Sequence, residues 1–397
     1  MPYPLDLRNK TFDLKKFKLK VLFFCFYKDK IIKRCILTGM ALLSSTAGMA
    51  ALKIFLLLVG FVLLVKGADF FVDGASGIAK KLKISTFIIG VTVVALGTSA
   101  PEAAVTIVDA VGGSGELIVG NILGSNIINV LLILGLSAVI CKLPVEKTTR
   151  FIDLPFLIFI SVLFVVLGSI GWTFEWWEGL ILILLYCAFM AYNIVLAKRQ
   201  SKIGLENPSA VSVADPCAPQ EETLTKWQRF KAFYDKLKTK VWFLIILTVV
   251  GLGMVVGGAQ LVVTSAQYVA EDLIGIEPEI VALTVVAFGT SLPELVTSVS
   301  AARKGDVGIA TGNIIGSNIA NILLIGGLGA VCSKNGLLFS TEGLISGLVS
   351  LAAAVLIFVC SFGKTKSLTR VAGIIMLVGL VGYYVFVFVN YYALHLY

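Results

Sequence analysis

The sequence predicts an all-α polytopic membrane protein whose ten transmembrane helices form two inverted five-helix repeats. Two observations lead to this fold class. Hydrophobic residues make up 58% of the 397 residues and charged residues only 14%, which is too apolar for a soluble domain. In addition, a segment of the first half recurs in the second half without a gap, at a constant offset of 192 residues.

Ten apolar segments follow one another along the chain, and each is close to the length of about 20 residues that crosses a bilayer as a helix. They are predicted at 51–73, 85–111, 116–140, 152–170, 177–197, 241–267, 279–302, 306–332, 343–362 and 370–392. The one long polar stretch between them contains three prolines and mixed charge, and it is predicted to be a mobile linker that ends in a short amphipathic helix at 225–239. The predicted organisation is a basic N-terminal extension at 1–48, a first five-helix repeat at 49–197, the linker at 198–240 and a second five-helix repeat at 241–397.

The extension 1–48 holds ten of the 33 lysines and arginines but only three of the 24 acidic residues. Three origins fit this pattern: a start codon assigned too far upstream, a signal peptide, or a genuine extra element. The first is favoured, with Met40 or Met49 as the true start. The rest of the chain is nearly neutral, so its charge gives no support for a nucleic-acid partner.

The distribution of basic residues predicts the orientation in the membrane. One alternating set of loops holds 20 lysines and arginines, nine of them in 198–240, whereas the opposite set holds only Lys334. By the positive-inside rule the linker is cytoplasmic and both termini lie outside. The basic extension violates this rule, which is a second argument against its presence in the mature protein.

The internal repeat is the strongest signal in the sequence. Residues 91–135 align with 283–327 with 23 identities in 45 positions. Because each half has five spans, an odd number, the second copy enters the membrane in the opposite direction from the first. Inverted repeats are typical of secondary transporters, whose substrate site lies near the midplane between the two copies.

Each repeat carries a glutamate and a proline within an apolar span, in "GTSAPE" at 97–102 and "GTSLPE" at 289–294. An ionised carboxylate in hydrocarbon is costly, so Glu102 and Glu294 are expected to face a cavity, a partner or a bound cation. The proline removes a backbone N–H and frees carbonyl oxygens one turn earlier. Hydroxyl groups stand three and four positions before each glutamate, on the same helical face; they belong to Thr98, Ser99, Thr290 and Ser291.

The following span of each half supplies amides and hydroxyls at helical spacing, in "GNILGSNIIN" and "GNIIGSNIAN". These are Asn121, Ser125 and Asn129 in the first half and Asn313, Ser317 and Asn321 in the second. Alone, such residues are more often interhelical hydrogen-bonding groups, and Asn126 and Asn318 are interpreted in that way. Together with two midplane glutamates they predict an all-oxygen cation site, which suits calcium better than magnesium.

Several other chemistries are not supported. The only histidine is His395, and the seven cysteines show no CxxC spacing, so neither a zinc site, a disulfide framework nor a catalytic dyad is indicated, and an enzyme is not expected. Lys66 and Asp69 are expected to pair locally or to snorkel. Asp73 and Asp109 lie near span ends and are expected to be solvated.

The paired GTS-x-PE and GNxxGSNxxN motifs resemble the α-repeats of the sodium/calcium exchangers of the cation/calcium antiporter superfamily, in their compact microbial form. The resemblance covers all ten spans and implies broken site-forming helices around a central cation site that opens alternately to each side. By position, it implies calcium ligands at Glu102 and Glu294 and at the backbone carbonyls of Thr98 and Thr290. It implies flanking sodium ligands at Ser99, Ser291, Ser125, Ser317, Asn129 and Asn321.

The resemblance therefore implies an antiporter of a prokaryotic plasma membrane that extrudes calcium as sodium enters. The expected partners are calcium and sodium ions and the lipid bilayer, with no cofactor and no obligatory protein partner. Some family members carry aspartate where this chain has Asn129 or Asn321, so sodium stoichiometry and potassium coupling stay open. A calcium/proton exchanger is the alternative, and a cation channel the more distant one.

Overall fold

The computed structural model describes residues 46–112, 116–206, 237–238, 240–274, 287–334, 336–363 and 366–395. The chain divides into two units, 1–56 and 57–397, and every site contact lies in the second. Of the predicted extension 1–48, residues 1–45 lie outside the described part.

Nearly all the described residues are helical, because the apolar runs satisfy their backbone hydrogen bonds internally. The α-helices are α1 (Thr46–Leu82), α2 (Thr86–Ile89), α3 (Ala95–Thr98), α4 (Ala100–Gly112), α5 (Glu116–Ile127), α6 (Gly135–Ile140), α7 (Leu154–Ser169), α8 (Trp176–Glu206), α9 (Val241–Tyr268), α10 (Ala287–Thr290), α11 (Leu292–Arg303), α12 (Val307–Ala320), α13 (Gly326–Cys332), α14 (Thr341–Ser361) and α15 (Arg370–His395). Within the described residues, π-helical segments are inserted at Gly90–Val94, Ile128–Leu134, Thr149–Asp153, Val269–Ile274 and Asn321–Ile325.

Eight described helices are long and apolar enough to cross a membrane, and the bent pair Thr86–Thr98 and Ala100–Val111 adds a ninth candidate span. The stretch predicted as the seventh span, 279–302, is described only from residue 287 onward, as α10 and α11. Outward-facing side chains on the long helices are apolar, as expected for contact with lipid; examples are Phe159, Leu184, Val359 and Val378. A mostly helical membrane protein is thereby confirmed.

Two spans form the centre of the molecule. In Ile118–Ile140 and Val307–Cys332, 78% and 83% of the apolar stretch is buried, against 39% or less in the other six candidate spans. Both belong to one hydrophobic core, in which Ile122 and Ile319 are almost fully buried. These central spans carry the predicted asparagines and serines, which are therefore shielded from lipid.

Glycines bring α1 and α9 into backbone contact. A Cβ atom added at Gly258 would lie 2.8 Å from the Gly60 carbonyl oxygen, and one added at Gly67 would lie 2.9 Å from the Gly251 carbonyl oxygen. From Gly60 to Gly67 the residue number rises along α1, while that of the contacting glycine on α9 falls from 258 to 251. The two helices therefore run antiparallel. Glycine at such positions lets two membrane helices approach closely.

Two short antiparallel ribbons connect loops of the two halves. β1 (Leu143–Pro144) pairs with β4 (Ser367–Leu368), and β2 (Thr173–Phe174) pairs with β3 (Leu337–Leu338). None of these strands is evident from the sequence, because two residues carry no detectable alternation of apolar and polar side chains.

The fifth predicted span is longer than expected. Helix α8 continues to Glu206, whereas the apolar run that predicts it ends at residue 197. The polar extension is held in place by Gln200, whose Oε1 accepts a hydrogen bond from the Ser85 N–H at 2.8 Å. The rest of the predicted linker lies outside the described residues except at 237, 238 and 240, and with it most of the expected helix at 225–239.

The acidic residues of the first span are paired over long distances. Asp69 pairs with Lys304 at 3.4 Å rather than with Lys66, which is exposed. Asp73 is not simply solvated, since it lies 2.8 Å from both Lys304 and Lys238. These partners are more than 160 positions away in the sequence, so only the tertiary structure could reveal them.

Candidate cation site

The two glutamates lie just after breaks in the helices. Helix α3 ends at Thr98 and α4 begins at Ala100, and the residue between them, Ser99, has φ −81° and ψ 8°. The equivalent Ser291 between α10 and α11 has φ −86° and ψ 2°. In the first half the two helices meet at an angle of 45°, as expected where a proline follows the break two residues later.

Each glutamate therefore stands in the first turn of a helix, with Glu102 in α4 and Glu294 in α11. The N-terminal end of a helix carries partial positive charge and unpaired N–H groups, which favour a carboxylate. Both residues are nearly fully buried, at 2% and 1% exposure. The helix ends lower the cost of keeping these two charges away from water but do not neutralise them.

The helix break of one half contacts the glutamate of the other half. The Ser99 hydroxyl donates a hydrogen bond to Glu294 Oε1 at 3.0 Å, and the Thr290 side chain interacts with the Glu102 carboxylate. The structure thus brings residues 192 positions apart into one site between the two halves.

The Thr98 hydroxyl is engaged by the protein. Its Oγ1 lies 3.0 Å from Asn313 Oδ1 and 3.1 Å from the Val94 carbonyl oxygen. Asn313 in turn donates to Ser298 Oγ at 2.9 Å. With its hydroxyl committed, Thr98 is suited to offer a cation its backbone carbonyl oxygen, the group implied for it by position.

Four asparagines of the central spans form a symmetric hydrogen-bonded cluster. Asn129 Nδ2 donates to Asn318 Oδ1 at 3.0 Å, and Asn321 Nδ2 donates to Asn126 Oδ1 at 3.0 Å. Each contact is converted into the other when the two halves are exchanged. The amide nitrogens of Asn129 and Asn321 are used in these contacts, whereas their Oδ1 atoms have no hydrogen-bond partner among the described residues.

Unpartnered oxygens are what distinguishes this region. Of the ten predicted site residues, seven have a buried side-chain oxygen with no hydrogen-bond partner among the described residues. They are Glu102, Glu294, Ser125, Ser317, Ser291, Asn129 and Asn321. A buried polar atom without a partner costs about 1–3 kcal/mol, more when charged, so a concentration of acceptors at one place indicates that something electropositive binds there.

The composition of the site decides which ions suit it. Within the described part of the chain no group of three or more histidine, cysteine or acidic side chains could hold a metal, and the other unpartnered oxygens around the two glutamates belong to neutral hydroxyl and amide groups. Hard cations such as calcium and sodium prefer oxygen ligands. Two carboxylates balance the charge of one divalent ion, which reduces the cost of burying it.

π-helical segments begin at this asparagine cluster. The segments Ile128–Leu134 and Asn321–Ile325 occupy equivalent positions in the two halves. π-helical turns often occur at functional sites, because the extra residue in the turn redirects nearby side chains. No local sequence signal marks these turns.

The family model described as "Sodium/calcium exchanger protein" matches residues 52–195 and 243–389, together more than half of the chain. The chain belongs to the sodium/calcium exchanger family. It is 33% identical over 364 residues to the sodium/calcium exchanger MaX1 of Methanosarcina acetivorans, covering 86% of this chain and 99% of that protein. It is 34% identical over 306 residues to the inner membrane protein YrbG of Escherichia coli, covering 76% of this chain and 87% of that one.

A solved structure of the sodium-calcium exchanger NCX_Mj, soaked with sodium and strontium ions, is similar to this chain with a TM-score of 0.68 and 29% sequence identity, covering 84% of this chain and 97% of that one. The compact microbial form of the exchanger family is thereby confirmed. The chain is a transmembrane antiporter of the ion-transporting class.

Some residues of this candidate site are not among the ten predicted ligands. Asn313, which its helical spacing from Ser317 and Asn321 already indicated as a site residue, contacts both Thr98 and Ser298. Asn126 and Asn318 were interpreted as packing residues, and they do join the two halves. Their further role, orienting Asn129 and Asn321, depends on a contact between the halves that sequence spacing does not show.

Proposed function

We propose that this protein exchanges calcium for sodium across the membrane by alternating access, with sodium entry driving calcium out of the cell. The observation that carries the proposal is the set of buried, unpartnered oxygens around Glu102 and Glu294 in a member of the sodium/calcium exchanger family. The proposed ligands are the ten predicted residues, with calcium held by the two glutamates and by the carbonyls of Thr98 and Thr290.

The proposed architecture is ten transmembrane helices in two inverted repeats, 49–197 and 241–397, joined by the linker 198–240. Three observations support it. The same family model matches once in each half. The first spans of the two halves, α1 and α9, cross antiparallel. The asparagine pairs and the β-ribbons are each converted into one another when the halves are exchanged.

The proposed orientation has the linker in the cytoplasm and both termini outside, in a prokaryotic plasma membrane. The excess of lysine and arginine in one set of loops supports this orientation. The similarity to a protein described as an inner membrane protein supports the compartment.

Coupling follows from competition for shared oxygens. Two buried carboxylates without a cation would leave net negative charge in a site surrounded by apolar helices, which is costly. Either calcium or sodium ions neutralise that charge, and only a neutralised site can change its exposure from one side to the other at low cost. Each crossing therefore carries one kind of ion or the other, and the gradient of one drives transport of the other.

The test is radiolabelled calcium uptake into proteoliposomes that are loaded with sodium and diluted into sodium-free buffer. Glu102→Gln and Glu294→Gln each remove a charged ligand at nearly constant volume and are expected to abolish uptake. Glu178→Gln is the matched control, because Glu178 is also a buried glutamate but accepts from the Glu175 N–H at the start of α8. It is expected to retain uptake.

Transport retained by either site variant would contradict the assignment. Uptake that follows a pH gradient and ignores sodium would instead identify a calcium/proton exchanger. Single-channel currents would identify a channel. Size-exclusion chromatography of each variant shows whether lost transport reflects lost folding.

A further inference from the structure

Helix α4 carries a row of buried oxygens that extends beyond the central site. Glu102, Thr106 and Asp109 stand at positions i, i+4 and i+7, which places them on one face of the helix. Each has a buried side-chain oxygen without a hydrogen-bond partner among the described residues: Oε2, Oγ1 and Oδ2 respectively. At 1.5 Å per residue the row is about 10 Å long.

The row contradicts the expectation that Asp109 is simply solvated. Asp109 is half-buried, and the ion pairs of the described residues involve Asp69 and Asp73 rather than Asp109. A carboxylate oxygen shielded from water and left without a donor is costly. The cost is removed when a water molecule or a cation binds beside it.

Thr106 lies between Glu102 and Asp109 on the same face of α4. It is 1% exposed, so the hydroxyl is enclosed by protein. Gly329 of α13 lies against it, since a Cβ added there would approach Thr106 Cγ2 to 3.2 Å. A second polar group that is almost fully buried and has no partner therefore accompanies the carboxylate.

The positions of the second half that correspond to Thr106 and Asp109 carry different groups. At the offset of 192 residues, Thr106 corresponds to Ser298, which accepts a hydrogen bond from Asn313. Asp109 corresponds to Ala301, which is fully buried and apolar. The central site is nearly symmetric, but at this position of the row α4 carries a carboxylate and α11 carries an alanine.

We propose that Asp109 and Thr106 form an outer cation site, a first binding position for a partly hydrated calcium or sodium ion before it reaches Glu102. This inference rests on the proposed function, whose orientation places the Asp109 end of α4 on the extracellular side. The outer site raises the local cation concentration at the external entrance. The cytoplasmic entrance, formed in the second half, has no equivalent carboxylate at position 301.

The asymmetry gives a sided test. Calcium half-saturation is measured separately for the external and cytoplasmic faces, in proteoliposomes whose protein is oriented one way. Asp109→Asn is expected to raise the external half-saturation concentration about threefold or more, because it removes one nearby charge, and to leave the cytoplasmic value unchanged. Thr106→Val, which removes only the neutral hydroxyl, is expected to give a smaller shift in the same direction.

Asp272→Asn is the control for a general effect of surface charge. Asp272 is exposed and lies in the segment predicted to face outside, but it is not part of the row. Its substitution is expected to change the external value little, and any change should vanish at high ionic strength. An Asp109→Asn protein whose external value is unchanged, or whose two values shift equally, would overturn the outer site.

A binding measurement keeps this inference separate from the proposed function. Equilibrium binding of radiolabelled calcium to the purified full-length protein is compared between Glu102→Gln and the double variant Glu102→Gln/Asp109→Asn. Residual weak binding that disappears in the double variant supports the outer site even if no sodium-driven uptake is found. Equal binding by the two variants contradicts it even if exchange is confirmed.

Discussion

The backbone contact between α1 and α9 predicts a large difference between two adjacent glycines. Gly258 faces α1, and a Cβ atom added there would lie 2.8 Å from both the Gly60 carbonyl oxygen and the Leu64 nitrogen. Real Cβ atoms do not approach backbone atoms so closely, so one helix has to move. Gly257 is exposed, and a Cβ there would meet nothing within 4 Å.

The magnitude follows from these distances. Both Gly→Ala substitutions gain up to about 1 kcal/mol of helix propensity, and this gain cancels when the two variants are compared. Overpacking of a close contact costs about 1–3 kcal/mol, and only Gly258→Ala incurs this cost. We expect Gly257→Ala to match or slightly exceed the wild type in stability. We expect Gly258→Ala to be less stable than Gly257→Ala by the overpacking cost of about 1–3 kcal/mol.

The assay is thermal unfolding of the purified protein in one detergent, followed by intrinsic tryptophan fluorescence, with sodium-driven calcium uptake measured alongside. Gly258→Ala is expected to melt several degrees below Gly257→Ala and to transport more slowly, since α1 is displaced from α9. Equal melting temperatures for the two variants would refute the reasoning, because the residues differ in the contact and not in their helix.

Two further predictions concern polar contacts. Asn318→Ala removes the acceptor of the Asn129 amide and is expected to weaken calcium binding about tenfold or more. The control is Asn193→Ala, which removes a buried amide bonded within its own helix and should leave the calcium affinity unchanged. Equal losses of calcium affinity in the two variants would argue against an orienting role of Asn318. Asp73 and Lys304 are each just over one quarter exposed and lie 2.8 Å apart. A double-mutant cycle of Asp73→Asn and Lys304→Met in thermal unfolding should give a coupling of about 0.2–1 kcal/mol, and a coupling of zero would show that the pair does not stabilise the fold.

Residue spacing was sufficient to predict where the glutamates and hydroxyls of the site stand on their own helices. The glutamates stand after the helix breaks because a following proline interrupts the helix locally. The hydroxyls of Thr98 and Ser99 stand four and three positions before Glu102, and helical periodicity places residues at this spacing on one face. Local rules of this kind do not depend on which other segment packs nearby, so they can be applied to a sequence directly.

Contacts between the two halves could not be predicted from such local rules. Nothing in the spacing says that Ser99 donates to Glu294 rather than to its own half. Likewise, the pairing of Asn129 with Asn318 follows from how the central spans cross, and a crossing is chosen by packing over the whole core. The unpartnered oxygen of Asp109 was missed because its position near a span end suggests solvent, whereas this oxygen is shielded from solvent in the fold.

By itself, the sequence determined a helical membrane protein, its duplication and the two motifs that place carboxylates, hydroxyls and amides in apolar spans. These features depend on composition, on the bilayer thickness and on local helix geometry. The tertiary structure decided which oxygens converge, which are used up by hydrogen bonds between the halves, and which are left for an ion. Those outcomes depend on contacts between residues about 190 positions apart, and only the packed fold brings such residues together.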